Sequence, residues 1–102
     1  LTYTSRANQK DSEQFSKEMK SIFRKFGQLS ARSVTDQAVQ NQVTILQNYI
    51  SQEFYDYTRE ELAGLGAVYI ADERFKEYID QIGGPKTAEF VSRVIEHFCN
   101  QD

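Results

Sequence analysis

Apolar residues recur along this chain at spacings of three and four. Phe15, Met19, Ile22, Phe23, Phe26 and Leu29 do so first, and together they form one stripe on a helix running from Asp11 to about Leu29. Asp11 with Gln14 three residues on can cap its start. Three phenylalanines on a single stripe mark a face that docks on a core. The run Gly27 to Thr35 (GQLSARSVT) breaks the pattern. Thr35 or Asp36 then opens a second helix to about Gln52 or Phe54, with Val39, Val43, Leu46, Ile50 and Phe54 as principal stripe and Ile45 and Tyr49 as a flanking one. Gln40, Gln47 and Asn48 make its other side neutral and polar. Such a face either meets water or offers amide donors and acceptors to a peptide-like ligand.

Phe54, Tyr55, Asp56 and Tyr57 form an aromatic elbow before the third helix. Thr58 and Glu61 have the spacing of a capping box, each side chain taking an orphan backbone donor. From Leu62 to Ala71 no residue is charged, and Leu, Val, Ile, Tyr, Ala and Gly lie on every helical face. A helix apolar all round is expected to lie buried between others. Its small residues are unusual, because a glycine inside a helix costs about 1 kcal/mol relative to alanine. Gly64, Ala67 and Ala71 share one face and Ala63 and Gly66 another. A neighbouring helix or a ligand is expected to approach those faces closely.

Asp72 reads as the N-cap of a short fourth helix carrying Phe75, Ile79 and Ile82. Gly83, Gly84 and Pro85 end it, with glycine as a left-handed cap and proline at the first position of a last helix. That helix runs from Lys86 to about Cys99 and presents Val91, Val94, Ile95 and Phe98. Neither an alternating strand pattern nor a hairpin dipeptide occurs. The expectation is an all-α fold of about five helices without internal repeats: a flexible segment over 1–10, then one domain over 11–102.

Composition narrows the function. The 102 residues carry 12 Lys and Arg against 15 Asp and Glu, net −3, with the signs interleaved. Without a basic stripe the segment is by itself a poor nucleic-acid binder. No apolar run reaches bilayer length, and the single cysteine precludes an internal disulfide, which fits a reducing cytoplasm. Enzyme chemistry lacks its parts. His97, the one histidine, falls in the last helical turn, where the helix dipole favours it. Cys99 two residues on points to a different face, so the two do not form a nucleophile and base. The acidic pairs Glu60–Glu61 and Asp72–Glu73 stand at helix starts and read as caps. No metal spacing is present and no cofactor is expected. Six tyrosines and seven phenylalanines are the conspicuous feature. Tyr49, Phe54, Tyr55, Tyr57 and Tyr69 gather around the second and third helices, either straddling core and surface or lining an adaptable, partly wet pocket.

The run FYDYTREELAGLGAVYIADERF with the following KEYID resembles the TipA-type antibiotic-recognition domain, the effector-binding half of certain MerR-family transcription regulators. Leu65, Gly66, Tyr69, Ile70, Asp72, Glu73, Arg74 and Phe75 carry the pattern LG-x-x-Y-[VI]-x-D-E-R-F, with Tyr55 and Asp56 upstream and a Gly/Pro-initiated closing helix over Gly84 to Ile95. The resemblance covers about Ser33 to Phe98 and is strongest from Phe54 to Ile82. It implies a compact, globin-like helical array with a ligand cleft. Its ligand would be a thiopeptide-like antibiotic or a hydrophobic drug. DNA would be reached only through an attached N-terminal winged-helix domain, and dimerisation through a coiled coil outside this chain.

Two positions depart from the family. Thiopeptide-trapping members carry a cysteine immediately before the LG pair, where this chain has Gly64, so the resemblance implies reversible capture here. Such members also have a histidine on the preceding helix, near Leu46 in this sequence, so the cleft is expected to be more apolar. Asp72 and Arg74 are read as a cap and a tether between helices, and Leu65, Gly66 and Phe75 as further structural signature. Tyr55 and Tyr69 are the leading ligand contacts, with Tyr49, Phe54, Tyr57 and Gly64 as neighbours. Two other readings stay open: a protein-interaction or dimerisation module with no working pocket, and a freestanding protein that sequesters the drug.

Overall fold

The computed structural model describes residues 12–101. They form α1 (Ser12–Gln28), α2 (Gln37–Glu53), α3 (Arg59–Ala71), α4 (Glu73–Gly83) and α5 (Thr87–Cys99). No strand occurs among the described residues, in agreement with the all-α, five-helix expectation. The segment 1–10 and the Asp11 cap lie outside them.

The amphipathic stripes lie where periodicity places them. Ile22, Phe23, Phe26 and Leu29 from α1 meet Val39, Val43, Leu46 and Ile50 from α2 in one core. Ile79 from α4 and Ala88, Phe90, Val91, Val94 and Ile95 from α5 complete it. α3 packs chiefly on α5, and α1 chiefly on α4. At its end α1 crosses α4 with backbone on backbone. A Cβ on Gly27 would stand on the Gly83 carbonyl oxygen, so the helices can approach only where both residues lack side chains.

Three helix starts follow their predicted caps. Asp36 Oδ1 accepts from Ala38 N at 2.8 Å. At Thr58, Oγ1 accepts from Glu61 N at 3.1 Å while Glu61 Oε1 accepts from Thr58 N at 2.9 Å, closing the capping box. Asp72 ends α3 and starts α4, its Oδ1 accepting from Arg74 N at 2.9 Å.

The α4–α5 turn differs from expectation. Gly84 has φ 105° and ψ 169°, and Lys86, at φ 69°, is the left-handed residue. Pro85 therefore precedes the cap, and α5 begins at Thr87. Lys86 supplies no side-chain cap. Asp80 of α4 does so instead, its Oδ1 accepting from Ala88 N at 2.8 Å. The cap is tertiary, which is why local sequence rules misplace it.

The larger correction concerns α3, which is not buried all round. Leu62, Gly66 and Tyr69 are buried. Ala63, Gly64, Ala67 and Ala71 are exposed, and Val68 and Ile70 keep 42% and 47% of their surface. α5 and α4 cover one side of α3, and no described element lies over the other. Close approach occurs at Gly66, where a Cβ would stand 3.0 Å from Ile95 Cγ2. At Gly64 nothing lies within 4 Å.

The neutral face of α2 also acts inward. Gln40 Nε2 donates to the Val34 carbonyl at 2.7 Å, and Gln47 Nε2 to the Tyr57 carbonyl at 3.0 Å. Asn48 remains exposed. Gln42, buried on the same helix, donates to the Ile22 carbonyl at 3.2 Å and ties α2 to α1. Primary amides suit this use, since they can be buried without a charge to neutralise.

Candidate functional site: an aromatic cleft between α1, α3 and α4

The α3–α4 corner at Asp72 turns the chain so that Tyr69, at the end of one helix, and Phe75, at the start of the next, face each other. Their ring centroids are 6.1 Å apart. Phe23 of α1 meets Tyr69 edge to face at 5.5 Å and 82°, a favourable arrangement for quadrupolar rings. Between these helices opens a cleft of about 280 Å³, walled by Phe15, Met19, Phe23, Tyr69, Phe75 and Tyr78. Ser16 also reaches it, and no charged side chain lines it. Phe75 and Tyr78 are 43% and 38% exposed and form its rim.

Tyr69 is 3% exposed. Burial above all, then the Tyr57 and Tyr78 hydroxyls, pushes its ionisation well above the usual phenol range. It therefore stays a neutral hydrogen-bond donor at ordinary pH. Its hydroxyl makes no hydrogen bond among the described residues.

Tyr49 and Phe54 stand behind one wall of the cleft. Phe15 stacks on Tyr49 at 5.6 Å and 22° and meets Phe54 edge to face at 5.4 Å, so both contact a cleft wall and not the cleft itself. Burial, then the Glu18 hydrogen bond and the charges of Glu18 and Glu53, raises the Tyr49 phenol. Tyr57 is fixed by its backbone, its N–H donating to Ser51 Oγ at 2.9 Å. Its ring lies 5.8 Å from that of Tyr55, which is 48% exposed.

Gly64 lies on the open side of α3, away from Tyr69. Leu65 packs against the core. Arg74 does not run to another helix: Nη2 returns to Asp72 Oδ2 at 3.3 Å, and this side-chain bond is the main cause holding the Asp72 carboxyl below its usual range. Phe75, read as part of a structural signature, is a cleft wall. The sequence does not mark Phe15, Met19, Phe23 or Tyr78 as cleft residues. Periodicity places the first three on the core stripe of α1, and that stripe continues past the core edge into the cleft. Tyr78 could have been found as the helical neighbour, three residues on, of Phe75.

Cys99 Sγ donates to the Arg59 carbonyl at 3.4 Å, and burial raises its thiol. It therefore sits at the start of α3, the opposite end from Tyr69, and lines a separate α3–α5 pocket of about 360 Å³. Among the described residues, no group of three or more His, Cys, Asp or Glu is placed to hold a metal ion. No helix among them is long and apolar enough to cross a membrane.

The chain is 35% identical over 83 residues to the HTH-type transcriptional activator Mta of Bacillus subtilis (strain 168). The match covers 81% of this chain and 32% of that protein, so the chain spans about a third of the relative's length. No solved structure matches. The family model described as the TipAS antibiotic-recognition domain matches residues 2–98, and the chain belongs to that family.

Proposed function

We propose that this chain is the effector-recognition part of a MerR-like transcription regulator, and that it takes a thiopeptide-like or hydrophobic drug, without covalent attachment, in the cleft between α1, α3 and α4. The observation that carries this reading is the cleft itself, a charge-free recess walled by rings from three helices. Rigid aromatic walls gain contact area at little entropic cost. Family membership and the transcriptional activator among its relatives support the regulatory setting. Occupancy would bias an attached DNA-binding half inside the cytoplasm. Reversibility follows from the chemistry: Gly64 has no nucleophile, and Cys99 is remote from the cleft.

The test is an amide NMR titration of the chain with thiopeptides and hydrophobic drugs. Saturable shifts at Phe15, Tyr69 and Phe75, reversed on dilution, are expected. A panel that leaves those amides unmoved would count against the cleft as a drug site. One observation favours a second reading, a protein-interaction module: the open apolar side of α3 with Val68 and Ile70. Val68→Glu and Ile70→Glu would then abolish a concentration-dependent association in sedimentation while leaving drug titrations unchanged.

A further inference from the structure

The walls of the cleft restrict what can occupy it. Its volume of about 280 Å³ is near the lower end of the ~300–1,000 Å³ typical of ligand pockets, room for roughly two or three fused rings, whether a whole small drug or one ring system of a larger thiopeptide-like guest. Phe15, Met19 and Phe23 stand on α1, with Phe75 and Tyr78 across the recess on α4. A recess lined by five aromatic rings and little else favours a flat aromatic guest, which gains most contact with such walls, and the Met19 thioether adds sulfur–aromatic contact.

Charge selects further. No carboxylate lines the cleft, and the hollow adjoining its rim carries a cation, Arg74, beside Phe75 and Tyr78. A cationic guest would be desolvated without a counter-ion, a loss the rings offset only in part. An anion would find no cation within the cleft, and Arg74 at the rim is already paired with Asp72 at 3.3 Å. Three hydroxyl-bearing residues line the cleft, Ser16, Tyr69 and Tyr78, and Tyr69, 3% exposed, is the most buried of them. A hydroxyl on so buried a side chain has little access to water, and a guest's acceptor that displaces that water gains a hydrogen bond in a low-dielectric recess.

Resting on the drug-recognition reading above, we propose that the cleft selects an uncharged, planar aromatic molecule of two or three fused rings carrying one hydrogen-bond acceptor directed at Tyr69. Tyr69 is then a specificity-determining residue. The flanking rings set the guest's plane and the hydroxyl sets its orientation.

Three tricyclic probes of similar size test this in NMR titrations of the 102-residue chain: 9-fluorenone, neutral with a carbonyl acceptor; fluorene, lacking the acceptor; and proflavine, a cation. Fluorenone is expected to shift the Phe15, Met19, Tyr69 and Phe75 amides and to bind roughly 5- to 10-fold more tightly than fluorene. Tyr69→Phe removes an oxygen that has no partner, so the fold is kept, as a thermal melt verifies, and the fluorenone preference should fall to unity. Proflavine should bind more weakly than fluorenone. A fluorenone preference that survives in Tyr69→Phe, or tighter binding of proflavine at the same amides, overturns the proposal while leaving the cleft a drug site. If no probe or drug moves those amides, the drug-recognition reading fails and this selectivity with it.

Discussion

At Gly64 the position where a Cβ would stand has no atom within 4 Å, whereas at Gly27 it coincides with the Gly83 backbone. The two glycines therefore respond oppositely to one added methyl group. Gly64→Ala relieves helix-interior glycine without meeting a neighbour and should raise stability by about 0.5–1 kcal/mol. Gly27→Ala pushes backbone against backbone, which cannot rotate away, and should cost about 1–3 kcal/mol. Urea midpoints of the two variants check both signs. Tyr69 gives the pH prediction. Its ionisation is raised in the fold above the ordinary 10.0, so the folded state holds the proton more tightly than the unfolded chain. That contribution is complete below pH 10 and is lost as pH rises from there toward the folded value. Thermal midpoints should fall on going from about pH 9 to pH 11, and Tyr69→Phe should flatten part of that fall. Part should remain, because Tyr49 and Tyr57 shift in the same direction.

At the scale of elements, caps decide where helices start, and here they are of two kinds. The α2, α3 and α4 caps come from the residue before the helix, so their signals were legible in order along the chain. The α5 cap comes from Asp80, eight residues before the amide it accepts from. Asp80→Ala should cost about 1 kcal/mol, the usual value for a lost cap. Amide exchange should accelerate first at Thr87 and Ala88. If Asp80 were merely a surface acid, the change would be near zero. The reading of α3 failed for a related reason. Its composition shows that every face tolerates an apolar environment, but composition does not count the neighbours available to supply one. Only α4 and α5 pack extensively on it, so Val68 and Ile70 stay near half exposed. The neutral face of α2 shows the converse: its pattern suits water or a peptide-like ligand, yet Gln40 and Gln47 bond backbone carbonyls of the chain itself, as does the buried Gln42, while Asn48 stays exposed.

For the whole molecule, Phe26 is the point where the elements depend on one another. It is fully buried on α1 within the core shared with α2, α4 and α5. Phe26→Ala should cost about 3–5 kcal/mol, a large share of the ~5–15 kcal/mol that holds a domain of this size together. A lowered melting midpoint with a broadened transition is the expected readout. A loss under about 1 kcal/mol would mean that α1 is not integral to the core.

The sequence by itself determined the helix count, most boundaries, the core stripes and the family. These rest on periodicity, local caps and a signature of fixed spacing, all of which act over a few residues. Only the tertiary structure decided which aromatic side chains share a cleft. The Asp72 corner aims Tyr69 and Phe75 at each other, and α1 brings Phe15, Met19 and Phe23 against them from more than forty residues away. Periodicity assigns a residue to a face of its helix. What that face meets is settled by helix packing, so the same α1 stripe is core at Phe26 and cleft wall at Phe15.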